Sequence, residues 1–352
     1  MLCFRLGNQV GRAISTGAIV LGLAVVGAIV ERMSPRGRVL ANQPQAEAVC
    51  TPPGRLSLPI DPDSFTTVTY SPDGEIVAIG GGSGRIELVT ADGAPLQTLE
   101  SLGRMTVHVE FSPLGRTFTS ADSNWTAKVW TRDGRRLSSL EGHRGLLYDA
   151  SYSPDGDLLA TASTDRTIRI WDVSRRRLGG GAPLVRTLEG NGGWILTTVF
   201  TLNGQNLVAG NQDGTIDLWS VDGTLLQTFT GHRGFVRSLS IAPSGKVLAS
   251  AGADGTVRLW AITGESLRTL NAHEGGALSV AFNPSGQAFA SGGSDGVVRI
   301  WNVEGQLLHQ LEGHDGRVWG VSFNPDGTQL ASVAEDGTAF LWQFSDASGC
   351  GQ

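Results

Sequence analysis

Cysteine is scarce in this chain of 352 residues, which contains only Cys3, Cys50 and Cys350. No CxxC pair occurs, and histidine and cysteine never cluster at the spacing of metal ligands. The sequence also offers no acidic pair, nucleophile or metal-binding set that stands apart from a repeated pattern. We therefore predict no catalytic residues, no metal site and no cofactor.

Positive charge is in short supply as well, since the chain carries a formal net charge of −6. Residues 1–50 hold five arginines and two acidic residues, which leaves 22 basic against 31 acidic residues, a net −9, in the rest. A body with this balance repels a phosphate backbone, so the sequence argues against general nucleic-acid binding.

Charge is missing altogether from residues 13–30, a run of 18 apolar or small residues just long enough to cross a bilayer. A basic segment, residues 1–12, precedes the run, as in an export signal, and a linker, residues 31–54, follows it. Three arginines directly after the run favour an uncleaved membrane anchor, while cleavage after Ala41 or Ala48 stays open. Because arginines flank the run almost equally on both sides, they do not settle its orientation.

Glycine, by contrast, is plentiful at 49 residues, and much of it belongs to a turn that recurs seven times. The turns are SPDG at 71–74 and 153–156, SPLG at 112–115, TLNG at 201–204, APSG at 242–245, NPSG at 283–286 and NPDG at 324–327. Successive turns are 41 residues apart, except for one spacing of 48. A tryptophan follows every turn but the first by 18 residues, at Trp130, Trp171, Trp219, Trp260, Trp301 and Trp342. This period, with four short strands legible in each unit, is typical of the blades of a β-propeller.

The repeats resemble the WD-repeat β-propeller family over roughly residues 55–343. GH or AH dipeptides precede four of the tryptophans by a fixed interval, although the full Trp-Asp pair occurs only at Trp171–Asp172. The resemblance implies an all-β, seven-bladed β-propeller of four-stranded antiparallel blades, spanning 55–348 and followed by a tail, 349–352. In this family the N-terminal strand, here residues 55–58, completes the last blade. Such closure leaves no long open sheet edge, and we expect the ring to be monomeric.

Four repeats carry a His, a Ser or Thr, an Asp and a Trp at fixed offsets. These sets are His143, Thr161, Asp165 and Trp171; His232, Ser250, Asp254 and Trp260; His273, Ser291, Asp295 and Trp301; and His314, Ser332, Asp336 and Trp342. They contain the residue types of a catalytic triad, but an active site occurs once per domain, whereas this set occurs four times. The resemblance implies instead a buried hydrogen-bond chain that locks the turns of each blade. Blades one, two and four lack part of the set and are expected to be looser.

Proteins of this family bind partners mostly through one face of the ring, here called the docking face. It carries the loops that join the fourth strand of one blade to the next blade and the second strand of a blade to its third. Tyrosine, tryptophan and arginine carry much of the binding energy at protein interfaces. We therefore predict partner-binding residues on this face at Tyr148, Trp194, Phe235, Arg237, Arg317, Trp319 and Glu335. The alternative that some of these side chains, Trp194 and Phe235 among them, pack inward stays open.

Two features are predicted for the opposite face. The seven-residue insertion in blade three contains Arg175, Arg176 and Arg177, which we expect to meet anionic lipid headgroups or to remain solvated. Cys50 and Cys350 flank the pair of strands that closes the ring, so either a disulfide bond or two free thiols would lie there. A bond would close a very long loop, which constrains the unfolded chain by about 4–5 kcal/mol.

The function expected from these features is a non-catalytic protein-interaction scaffold at a membrane surface. An export-like N-terminus and a disulfide bond would place the ring in an extracytoplasmic, periplasmic compartment, and the cytoplasmic face of the membrane is the alternative. Two other functions stay open: a structural component of an envelope assembly complex, and a hydrolase or lyase that uses the central channel. Fold alone does not support the enzyme.

Overall fold

A computed structural model describes residues 54–58, 64–101, 104–174 and 182–344 of the chain. The described residues contain 28 β-strands in seven antiparallel sheets of four strands. The predicted seven-bladed all-β propeller is therefore confirmed. The predicted anchor at 13–30, Cys50, Cys350 and the three arginines at 175–177 lie outside the described residues. Within the described ranges, no helix has the length and apolar character needed to span a membrane.

The first strand along the chain, β1 (Gly54–Ser57), belongs to the last blade. Blade one contains β2 (Phe65–Tyr70), β3 (Ile76–Gly81), β4 (Arg85–Thr90) and β5 (Pro95–Glu100). Blade two contains β6 (Thr106–Phe111), β7 (Thr117–Asp122), β8 (Ala127–Thr131) and β9 (Arg136–Leu140). Blade three contains β10 (Leu147–Tyr152), β11 (Leu158–Ser163), β12 (Thr167–Asp172) and β13 (Leu184–Glu189).

Blade four contains β14 (Ile195–Phe200), β15 (Asn206–Asn211), β16 (Ile216–Ser220) and β17 (Leu225–Phe229). Blade five contains β18 (Val236–Ile241), β19 (Val247–Gly252), β20 (Thr256–Ala261) and β21 (Ser266–Asn271). Blade six contains β22 (Ala277–Phe282), β23 (Ala288–Gly293), β24 (Val298–Asn302) and β25 (Leu307–Leu311). Blade seven contains β26 (Val318–Phe323), β27 (Gln329–Ala334) and β28 (Ala339–Gln343), and β1 completes it.

Burial is greatest at the second strand of each blade and least at the fourth. The first strands of neighbouring blades contact one another and line a central channel. The second strands are almost wholly buried, because sheets of the adjacent blades cover both of their faces. They consist mostly of apolar or small residues, such as LLATAS in β11. The fourth strands form the rim and are mostly exposed, as in β5 and β13.

Side-chain hydroxyl groups on the first strands join blade one to two, five to six and six to seven, while the carboxylates of Glu110 and Asp149 join blade two to three and three to four. The backbone N–H of Val109 donates to Thr67 Oγ1 of the preceding blade at 3.3 Å, and Val321 N–H donates to Ser279 Oγ at 3.1 Å. The ring is closed by β1, which pairs antiparallel with β28 so that Gly54 lies opposite Gln343. Strand β28 runs away from the docking face, so Gly54 and Gln343 both lie at the opposite face.

Candidate functional site

The centre of the docking face is the mouth of the channel. Each of the seven first strands contributes an equivalent residue at its start, and these residues are Thr66, Val107, Tyr148, Leu196, Arg237, Leu278 and Trp319. Together with the residues just below them they line a cavity of about 190 Å³. Side chains that are far apart in the sequence therefore line one small concave site.

Arg237 joins three blades across this mouth. Its Cζ atom lies 5.0 Å from the ring centroid of Tyr148 in blade three and 5.3 Å from that of Trp319 in blade seven. A guanidinium at this distance from an aromatic ring is attracted by the negative face of the ring. Burial lowers the pKa of Arg237, while Tyr148 and Asp149 act to raise it. The structure thus brings Tyr148, Arg237 and Trp319 together as one cluster, here called the mouth cluster.

Trp194 and Phe235 form a second group on the loops of blades four and five. Their ring centroids are 6.5 Å apart, and the two side chains are 41% and 40% exposed. Of the two arrangements left open by the sequence, the structure has the rings open to solvent rather than packed inward. They form an apolar surface beside the mouth cluster, since Phe235 lies two residues before Arg237.

Arg317 and Glu335 form a third group, at the edge of the face in blade seven. Both side chains are exposed, and Arg317 Nε lies 3.9 Å from Glu335 Oε2. Their backbones are also joined, because Glu335 N–H donates to Arg317 C=O at 2.9 Å. An exposed ion pair of this length contributes little to stability, so its two charges remain available to a partner.

Trp125 is a face residue that the sequence analysis passed over. It is 50% exposed on the loop between β7 and β8, beside Arg104, Ser123 and Asn124. Its φ of 69° lies in the left-handed region, and at the equivalent position Arg166 of blade three has a φ of 71°. The other five blades have glycine there, at Gly84, Gly214, Gly255, Gly296 and Gly337. The 41-residue period could have revealed this, because it aligns Trp125 with those glycines.

The loops of the docking face are held by the repeated polar sets. In blade three, Trp171 Nε1–H donates to Thr161 Oγ1 at 2.9 Å, and His143 Nε2 lies 2.8 Å from the same oxygen. His143 Nδ1 lies 2.8 Å from Asp165, which also accepts a hydrogen bond from Arg144 N–H at 2.9 Å. One carboxylate therefore ties the loop that enters the blade to the loop between its second and third strands.

The same chain recurs in blades five, six and seven. His232 Nε2 lies 2.7 Å from Ser250 Oγ, and His273 Nε2 lies 2.8 Å from Ser291 Oγ. In blade seven the chain takes a longer route, because His314 Nδ1 lies 2.5 Å from Thr338 Oγ1 and 3.9 Å from Asp336. The histidine side chains of all four sets are fully buried. A substrate cannot reach groups in this position, so the sets are suited to holding loops rather than to nucleophilic attack.

Blades two and four replace the histidine chain with other buried contacts. In blade two the ammonium of Lys128 is paired with Asp122 and lies 3.2 Å from Ser101 Oγ, both side chains being buried. Burial raises the pKa of Asp122, and the Lys128 charge opposes that shift. In blade four Asn211 donates to Asp217 Oδ2 at 2.8 Å, but Trp219 Nε1 has no hydrogen-bond partner among the described residues. Ala209 stands where the other sets have Ser or Thr.

The fold and these sets define the class of the protein. The family described as WD domain, G-beta repeat (WD40) matches the chain at residues 134–172, 182–220, 223–261, 264–302 and 305–343, which together make up more than half of it. The chain therefore belongs to the WD40 repeat family. Each matched segment contains the last strand of one blade and the first three of the next. No curated protein matches the chain.

Proteins with this fold are in general protein-interaction scaffolds. All four strands of blade one and the first three of blade two fall outside the matched segments, yet these blades form the same four-stranded sheets. Among the described residues no group of three His, Cys, Asp or Glu side chains is arranged to hold a metal ion.

The unpaired indole of blade four generates a first prediction. Replacing Ala209 with serine should give Trp219 Nε1–H the acceptor that Ser250 supplies to Trp260 at 2.8 Å. Because an unsatisfied buried donor costs about 1–3 kcal/mol, we expect the free energy of unfolding to rise by about 1 kcal/mol. Urea titration measures the change. Ala249→Ser, at an equally buried alanine in blade five, is the control and should destabilise the protein.

The buried histidines make stability depend on pH. Burial lowers the pKa of His314 from 6.5 to about 4 and also lowers those of His232 and His273. Between pH 6.5 and pH 4 the unfolded chain binds protons that the folded ring does not, so stability is lost as the pH falls through this window. For His314 alone the loss should be roughly 1–3 kcal/mol.

Urea titrations at pH 7, 6 and 5 measure this loss. The variant His314→Asn should be less stable at pH 7 and should show a shallower dependence on pH. A stability that stays constant or rises as the pH falls to 5 would contradict the neutral state assigned to these histidines.

Proposed function

We propose that this protein is a non-catalytic scaffold that binds other proteins through its docking face and presents that face at a membrane surface. The observation that carries the proposal is the left-handed backbone of Trp125. A non-glycine residue at positive φ costs about 1–3 kcal/mol, which the surrounding structure must offset. Such strain is found where function requires the side chain. Here the strained side chain is a tryptophan that is half exposed.

The composition of the face supports the same proposal. Trp125, Trp194 and Phe235 all project from loops on this side of the ring, and each is at least two-fifths exposed. Aromatic side chains bury large area with few rotatable bonds, so they are enriched among the residues that dominate binding energy. A rim of arginines, including Arg166 and Arg317, provides the polar edge typical of protein interfaces.

The position of the chain ends in the ring supports the membrane part of the proposal. Gly54 lies opposite Gln343 at the end of β28, so the first described strand begins at the face opposite the docking face. The ends of the insertion that carries Arg175, Arg176 and Arg177, after β12 and before β13, lie on that same opposite face. If the apolar run at 13–30 is an anchor, the docking face is directed away from the bilayer and stays open to soluble or envelope proteins.

A first experiment uses the full chain as bait. Trp125→Gly should leave the free energy of unfolding unchanged or raise it by up to about 1 kcal/mol, because the strain is removed. It should also reduce, by at least fivefold, the proteins retained after crosslinking in the cells that produce the chain, measured by quantitative mass spectrometry.

The matched control is Leu202→Ala, which removes an equally exposed side chain from a turn on the opposite face. It should leave the retained proteins unchanged. Equal retention by wild type and Trp125→Gly, or a loss confined to Leu202→Ala, would contradict the placement of the binding surface.

A second experiment tests the extracytoplasmic location. Cys50 precedes Gly54 by four residues and Cys350 follows Gln343 by seven. Gly54 and Gln343 lie opposite each other in the closing strand pair. A non-reducing peptide map of the native protein from isolated membranes should therefore contain a Cys50–Cys350 crosslinked peptide, with Cys3 unpaired as the internal control. Two free thiols would contradict the extracytoplasmic location and favour the cytoplasmic face of the membrane.

A further inference from the structure

Arg237 is a charged group at the centre of the docking face that lacks a carboxylate partner. Its guanidinium lies against the aromatic side chains of Tyr148 and Trp319, and Asp149 acts on its charge without forming an ion pair with it. No carboxylate of the described residues forms an ion pair with it. Buried or half-buried arginines are usually paired, because desolvating an unpaired charge is costly. The mouth of the channel therefore holds a guanidinium with hydrogen-bond donors to spare.

Asp149, which lines the cavity, and Glu110 of β6 are both engaged elsewhere. Asp149 accepts hydrogen bonds from Ala150 N–H at 2.8 Å and Thr198 N–H at 2.8 Å, and its Oδ1 lies 3.1 Å from His108 Nδ1. Glu110 accepts a hydrogen bond from the N–H of Tyr152 at 3.0 Å, and burial raises its pKa well above the usual range. Neither side chain is placed to turn toward Arg237 without leaving buried donors unsatisfied.

The geometry of the mouth cluster suits one kind of acceptor. An arginine whose planar faces lie near aromatic rings keeps the N–H groups along its edge, and this fork matches the two oxygens of a carboxylate. The cavity of about 190 Å³ is smaller than the roughly 300–1,000 Å³ of pockets for small-molecule ligands, and it fits a single side chain. Val107, Leu196 and Leu278 supply apolar wall for the methylene groups of that side chain.

The charge of the cavity selects between anions. Arg237 is the one arginine among its lining residues, which include no lysine, and His108 is already directed at Asp149. A phosphate group, with a charge near −2, calls for a cluster of cations. A carboxylate, with a charge of −1, is balanced by one guanidinium.

We propose that Arg237, held by Tyr148 and Trp319, is a binding site for the carboxylate of an acidic side chain that a partner protein inserts into the mouth of the channel. The inference rests on the proposed function, since the partner must sit on the docking face. On that face the exposed aromatic side chains provide apolar contact area. Arg237 adds specificity, because it requires a glutamate or aspartate at one position of the partner. A chain-terminal carboxylate shares this chemistry and is the other source that the test separates.

The test uses the full chain labelled with 5-fluorotryptophan, which gives one ¹⁹F signal for each of its nine tryptophans. The variant Trp319→Phe assigns the signal of the ring that contacts Arg237. Three probes are titrated separately: N-acetylglutamate α-amide, which has a side-chain carboxylate; N-acetylglycine, which has a terminal one; and N-acetylglutamine α-amide, which has none.

We expect the Trp319 signal to shift and saturate with the glutamate probe at a millimolar dissociation constant, at least fivefold more tightly than with N-acetylglycine. The glutamine probe should not shift it. Arg237→Lys keeps the positive charge but loses the forked N–H donors, so it should weaken binding of the glutamate probe at least fivefold. Arg237→Gln should abolish the shift that this probe causes. Thermal melting checks that both variants are folded, and Arg144→Gln, an exposed arginine on a loop of the same face, should bind the probe like wild type.

The outcomes separate this inference from the proposed function. Equal shifts with the glutamine probe, or unchanged binding in folded Arg237→Lys and Arg237→Gln, overturn the carboxylate site even if Trp125→Gly has abolished capture. Tighter binding of N-acetylglycine overturns the side-chain source in favour of a chain terminus. If Trp125→Gly does not alter capture but the glutamate probe still binds in an Arg237-dependent way, the result contradicts the proposed binding surface around Trp125. The carboxylate site at Arg237 then remains supported.

Discussion

The docking face depends on one hydrogen-bond chain that runs from an indole through a hydroxyl and an imidazole to a carboxylate. In blade five, Trp260 donates to Ser250 Oγ, whose neighbour His232 lies between that oxygen and Asp254. Each buried donor in this order has an acceptor when the histidine is neutral and carries its proton on Nδ1. The carboxylate at the end also accepts a hydrogen bond from Arg233 N–H at 2.9 Å, so the chain reaches from the core of a blade to a loop of the docking face. Loop positions on this face are thereby set by buried chemistry.

A sequence repeat does not coincide with a blade, and this links the loop positions of neighbouring blades. Each matched segment spans two blades, so the loop positioned by His232 also carries Phe235 and leads directly into the strand that bears Arg237. Hydroxyl and carboxylate contacts to the backbone of the next first strand constrain the angle between neighbouring blades. Closure by β1 then leaves the ring no free edge on which that angle could relax. Arg237 can reach two rings from different blades only because all these angles add up to a closed circle.

The sequence predicted the parts of this arrangement that follow a period, and not those that depend on the curvature of the ring. A spacing of 41 residues was sufficient to align the seven turns and the four polar sets, since equivalent positions need only be counted. It also placed Tyr148, Arg237 and Trp319 at equivalent positions on one face. That their side chains meet across the channel could not be read from it, because the meeting depends on the diameter of the ring and the reach of arginine. Lys128 shows a second limit: counting shows that the histidine of blade two is missing, but not that a buried ion pair with Asp122 takes its place.

The blades with complete and incomplete His–Ser/Thr–Asp–Trp sets correspond to the two roles proposed for the docking face, carboxylate binding at its centre and apolar contact around it. The mouth cluster draws its members from blades three, five and seven, each of which has a complete set. Recognition of a carboxylate by a single guanidinium needs fixed geometry, because a misplaced fork loses one of its two hydrogen bonds. Trp125 and Trp194 lie on blades two and four, where the histidine is absent and, in blade four, the indole of Trp219 is unpaired. Burial of apolar area is not directional, so the binding proposed for these outer rings requires less exact geometry than the binding proposed for Arg237.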